Sequence, residues 1–101
     1  MKYESILIQL GFNPNNSLKE DLKRVISSMP CFEKIEKHII NLNDKIRVYG
    51  GQIGLSSSSN YFKIKTKDKP EVIDIVENWA KKHKIQLIKA TNNNYYIAGR
   101  D

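Results

Sequence analysis

The chain has 101 residues, 40% of them apolar, which is enough for one compact core and too little for two independent ones. Its 17 Lys and Arg against 11 Asp and Glu give a net charge of +6, which favours acidic partners such as nucleic acid, anionic membrane or an acidic protein face. Cys31 is the single cysteine, so an intrachain disulfide and a four-cysteine zinc site are both excluded, and the apolar run in MKYESILIQLGF is too short for a membrane span or a signal peptide.

Fourteen of the cations are Lys and only three are Arg. Arg is the side chain suited to bidentate recognition of guanine and phosphate, so contact with nucleic acid is expected to be dominated by phosphate, with low sequence specificity.

Tyr3, Ile6, Leu7 and Leu10 have the spacing of an amphipathic helix, and Gly11 supplies its stop. After Asn13-Pro14-Asn15-Asn16, Ser17 and Glu20 have capping-box spacing, while Leu18, Leu22, Val25, Ile26 and Met29 line one face of a second helix. These two helices form an N-terminal part over 1–30, interrupted by Pro30, beyond which Phe32, Ile35 and Ile39 allow a further turn or two. From about residue 38 the period reads as two. Ile40 and Leu42, then Ile46 and Val48, alternate with polar residues, and a hairpin loop at Asn43-Asp44-Lys45 sets Leu42 opposite Ile46 and Ile40 opposite Val48.

Residues 50–60 contain Gly50, Gly51, Gly54 and four consecutive serines, and read as a flexible connection. Phe62, Ile64 and Thr66 then alternate with Tyr61, Lys63, Lys65 and Lys67 in a third strand. Pro70 opens a third helix over 70–83, with Val72, Ile73, Val76, Trp79 and Ala80 on its apolar side and lysines at its end. A last hairpin joins 85–90 to 95–99, and a turn at Asn92-Asn93 sets Ile88 opposite Ile97.

The expected fold is α+β: two N-terminal helices, then a four- to five-stranded, mostly antiparallel sheet over 38–100, with the third helix packed on one face. Trp79, Val76, Phe62, Ile64, Val48, Ile88 and Leu22 are the expected core. A helix followed by a hairpin occurs twice, at about 18–49 and 70–99. One domain spans 1–101.

Few residues present chemistry. Gly50-Gly51-Gln52 matches the tripeptide of peptide-release factors, but the residues that surround it in those factors are not seen, and no family resemblance is drawn from it. Glycines and serines at 50–59 also suit an anion-binding loop, yet no Lys-Ser or Lys-Thr follows the last glycine, so a connecting role is preferred. His38 and His83 lie in no metal-binding spacing. A ribonuclease using either as general base needs a second acid–base group beside it. Cys31, beside Phe32, reads as a packed thiol, and Glu33 and Glu36 interleave with Lys34 and Lys37 as a solvated face. No catalytic or metal site is assigned, and no cofactor.

The remaining constellation comes from strand alternation. If Ile46, Val48, Phe62 and Ile64 face the core, then Lys45, Arg47 and Tyr49 face outward beside Tyr61, Lys63, Lys65 and Lys67. Lysines on such a face neutralise phosphates while tyrosines stack on exposed bases. Lys81, Lys82, Lys84 and Arg100 are candidates to extend it.

The expected function is therefore a small, non-catalytic nucleic-acid-binding protein of the cytoplasm, with single-stranded RNA or DNA as partner and no membrane. The alternative is a protein-interaction module, an inhibitor or adaptor, that docks on an acidic partner through this face or a free sheet edge. Oligomeric state is open.

Overall fold

A computed structural model describes residues 3–29, 32–55 and 60–100, the last without the Arg100 side chain. Pro30, Cys31 and the serines at 56–59 lie outside the described residues, and with them the readings made on those positions. Among the described residues there are four α-helices and one four-stranded antiparallel sheet, the α+β arrangement that the patterning implies.

Helix α1 (Tyr3–Gln9) buries Ile6 and Leu7. It ends as Gly11 turns left-handed at φ +92°, with the Gly11 N–H bonded to Ile8 O and the Phe12 N–H to Leu7 O. Helix α2 (Asn16–Ser27) starts two residues earlier than the expected capping box, because the Asn15 Oδ1 accepts the Leu18 N–H at 2.8 Å and takes the capping role. Lys19 of α2 pairs with Glu4 of α1, and this pairing holds the Glu4 carboxyl below its ordinary pKa.

Helix α3 (Phe32–Arg47) corrects the expected first hairpin. Ile35, Ile39, Leu42 and Ile46 follow the 3.6-residue period and are all buried, whereas Val48, expected in the core, is 81% exposed. The helix closes with a Schellman turn, in which Gly50, at φ +88°, donates to Arg47 O and Gly51 donates to Ile46 O. A Cβ at Gly51 would lie 3.0 Å from the Ile46 Cβ and 3.1 Å from the Val72 Cγ1, so a side chain there requires these neighbours to give way. The Gly-Gly pair thus stops a helix and lets β1 pass close beneath it.

Strand β1 (Gln52–Leu55) occupies part of the segment expected to be a flexible connection. It pairs antiparallel with β2 (Phe62–Lys65), setting Ile53 opposite Ile64 and Leu55 opposite Phe62. Helix α4 (Pro70–His83) has Pro70 in its first turn and a left-handed Lys84 after its last. Strand β3 (Ile85–Lys89) and strand β4 (Tyr95–Arg100) form the final hairpin across a short 3₁₀ turn, Thr91–Asn93.

The expected register of that hairpin holds at Ile85 with Arg100 and at Gln86 with Gly99. A bulge between Gln86 and Leu87 then shifts it by one residue. Leu87 consequently faces Ile97, and Ile88 faces Tyr96 and is 44% exposed instead of lying in the core.

The sheet order is β1-β2-β4-β3. Ile53, Phe62, Ile64, Tyr95 and Ile97 point from the sheet into the helical layer, where they meet residues including Leu22, Phe32, Ile46, Val76 and Trp79 in one cluster. The Phe32 and Phe62 rings stack at 5.7 Å, and the Trp79 Nε1–H donates to His38 O at 3.0 Å, tying α4 to α3. Each large side chain fully withdrawn from water here contributes about 1.5–3 kcal/mol.

Candidate nucleic-acid interface

With one sheet face turned to the helices, strand alternation sends the other set of side chains to the opposite face. The central row of that set is Gly54, Lys63, Tyr96 and Ile88, one residue from each strand, fixed by the register. Phe12 approaches Gly54 on this side, with its Cζ 3.9 Å from where a Cβ would stand, so the β1 end is overlaid and the β2, β4 and β3 part is left.

Three side chains gather there. The Tyr61 and Tyr96 rings lie 6.0 Å apart, tilted by 48°, and the Lys63 Nζ sits 5.9 Å from the Tyr96 ring centroid. That distance is within cation–π range, so the ammonium is held against a ring face instead of ranging freely in water. Lys63 is half-buried by these neighbours, whereas Lys65, one step along the same face, is exposed.

The far end of β2 is fixed by a clasp between two turns. The Thr66 N–H donates to the Asn94 Oδ1 at 3.0 Å, the Thr66 hydroxyl donates to Asn93 O at 2.9 Å, and the Asn93 side-chain amide donates to the Asp68 Oδ1 at 2.7 Å. Lys67, Asp68, Asn92 and Asn93 all adopt left-handed backbone here. The clasp sets Lys65 and Lys67 around one polar hollow with Asp68, Asn92 and Asn94, so Lys67 continues the cationic file started by Lys63 and Lys65.

Of the seven residues expected on this face, Tyr61, Lys63, Lys65 and Lys67 lie on or beside β2 as anticipated. Lys45, Arg47 and Tyr49 do not belong to the sheet: the first two are in the last turn of α3 and Tyr49 follows it. Their predicted place depended on a strand that is a helix. Lys45 instead lines a hollow on the helical side with Trp79, Lys82 and His83, and Arg47 lines another with Leu10, Gly11 and Gln52. The lysines of the expected extension are corrected too, because Lys82 shares the helical hollow and Lys81 and Lys84 line a groove between α4 and β3, while the Arg100 side chain lies outside the described residues.

Tyr96 was absent from the expected site. Its signal was present in the adjacent pair Tyr95-Tyr96, since consecutive strand residues face opposite ways and one tyrosine had to lie outside.

The histidines come together. His38 of α3 and His83 of α4 stack with ring centroids 3.9 Å apart, and Trp79 meets His83 edge-on at 6.1 Å. Each histidine thus has a second acid–base group beside it, the condition set for a general-base role, at the contact of α3 with α4. Among the described residues, no group of three or more His, Cys, Asp or Glu side chains is placed to hold a metal ion, and no helix is long and apolar enough to cross a membrane. No protein-family model, curated protein or solved structure matches this chain.

Proposed function

We propose that the protein binds single-stranded nucleic acid, RNA or DNA, on the sheet face that the helices leave open. The observation that carries this reading is the packing of Tyr61, Tyr96 and Lys63 at 6 Å spacing, followed along β2 by Lys65 and Lys67. Aromatic rings on a sheet accept bases of any identity, because every base has a π-face, and each such stack is worth about 1–3 kcal/mol. The lysines neutralise phosphates of the same strand, and the absence of arginine side chains from the face among the described residues is consistent with modest base discrimination.

The test is fluorescence anisotropy with a labelled single-stranded oligonucleotide across a salt series. Three phosphate contacts, from Lys63, Lys65 and Lys67, give a log–log salt slope of about −2. Tyr96→Ala is expected to weaken binding by about 1–3 kcal/mol with the slope retained, since stacking releases no counterions. The Lys63, Lys65 and Lys67 triple alanine variant should lose both affinity and slope. A flat salt response, or unchanged binding in the triple variant, would count against the proposal.

A further inference from the structure

The sheet has two edges, and the fold treats them differently. At β1, the Asn43 side chain from α3 is completely buried and its Oδ1 accepts the Ile53 N–H at 3.0 Å. That amide points away from β2, so α3 closes this edge with a side-chain acceptor in place of a further strand. At the other side of the sheet β3 is the last strand, and among the described residues no further strand pairs with it.

Beside β3 runs a groove against α4. Its floor is apolar, formed by Ala80, Ile85 and Leu87, and Lys81 and Lys84 stand on its rim. Both lysines are exposed, as is Lys89 at the end of β3. The acidic residue in the groove, Glu77, already accepts a hydrogen bond from the Tyr95 hydroxyl at 2.7 Å. On the opposite side of the same strand Ile88 is 44% exposed.

An added strand would alternate its side chains between these two sides, one set entering the groove and the other lying beside Ile88. Charge decides the occupant. A second copy of this chain pairing edge to edge would gather the Lys81, Lys84 and Lys89 sets of both copies along one seam, where like charges repel. An acidic strand meets the opposite situation.

We infer that the β3 edge takes an extended acidic peptide segment of another protein, which adds as a fifth strand with its acidic side chains on the groove side, their stems over Ala80 and Leu87 and their carboxylates against Lys81, Lys84 and Lys89, and its apolar side chains beside Ile88. This site meets the Tyr61–Tyr96 face only at Ile88, the register partner of Tyr96, and stands whether or not that face binds nucleic acid.

The probe is a synthetic peptide that alternates valine with glutamate, titrated into isotope-labelled full-length protein and followed by amide NMR. A matched peptide alternating valine with lysine is the control. Expected are saturable shifts across 85–89 and at Lys81 and Lys84, slower hydrogen exchange along β3, and no response to the control. The exposed pair Lys81→Glu with Lys84→Glu should weaken the glutamate peptide at least about tenfold and admit the lysine peptide. The inference is overturned by an absence of saturable shifts on β3, by equal binding of both peptides, or by shifts confined to Tyr61, Lys63 and Tyr96. Shifts of β3 that grow with protein concentration alone would also overturn it, making the occupant a second copy.

Discussion

Tyr95 and Tyr96 are neighbours in β4 with opposite tasks. Tyr96 lies against Lys63 on the open face, while Tyr95 is 5% exposed on the helical side, where its hydroxyl donates to the Glu77 Oε2 at 2.7 Å. Burial, then the hydrogen bond and the negative charge of Glu77, push the Tyr95 phenol up from 10.0 to about 12. Because the folded value is the higher one, the stability Tyr95 supplies is complete below pH 10.0 and is lost as the pH rises through about 12. Glu77 is exposed, so the bond contributes about 1 kcal/mol, and Tyr95→Phe should cost about that much at neutral pH. Urea unfolding of both proteins at neutral pH and near the upper end of that window checks this: the difference between them should shrink at alkaline pH, and a constant difference would refute the assignment. At this scale the sequence was legible where alternation was strong, as at Phe62, Lys63, Ile64 and Lys65, and the alternation that turns Ile97 inward also sets Tyr96 outside; what no residue pattern announced was the bulge at Gln86 and Leu87, which turned Ile88 outward.

Helix α3 is the element that patterning misassigned, and the reason is physical. Ile40, Leu42, Ile46 and Val48 satisfy a period of two, but Ile35, Ile39, Leu42 and Ile46 satisfy 3.6 over a longer run, and Asn43-Asp44 in the middle resembles a turn. Asn43 is retained within the helix by a distant requirement that no local window contains, since its Oδ1 covers the β1 edge. Its Nδ2 is buried and has no hydrogen-bond partner among the described residues. Asn43→Ala therefore strands the Ile53 N–H but also removes an unsatisfied donor, and a net loss of about 1–2 kcal/mol is expected. Asn43→Asp should cost more, because it buries a charge. Hydrogen exchange at the Ile53 amide checks the cause: it should accelerate in the alanine variant, and unchanged protection would contradict the edge-covering role. Missing α3 also displaced Lys45, Arg47 and Tyr49 from the sheet, so one error in period removed three of seven site residues. By contrast, the second and last helices were legible from their periodic apolar faces, and Pro70 marked the start of α4.

Across the whole molecule the helix–hairpin unit expected at 18–49 is corrected, since α2 and α3 occupy those residues, and a helix followed by two strands occurs at other bounds. The units are α3–β1–β2 and α4–β3–β4, with β2 and β4 adjacent at the centre of the sheet and β1 and β3 at its edges. The net charge of +6 is spread over the open sheet face, the helical hollow of Lys45 and Lys82, and the groove of Lys81 and Lys84. Positive charge alone therefore does not single out a surface for nucleic acid. In the proposed reading the aromatic pair makes that choice, because Tyr61 and Tyr96 offer stacking next to cations on one face. The most direct measurement is an amide NMR titration of the protein with a short single-stranded RNA. Saturable shifts at Tyr61, Lys63, Lys65 and Tyr96 are the result this account requires. Shifts centred on Lys45, Lys82 and His83, or none that saturate, would contradict it.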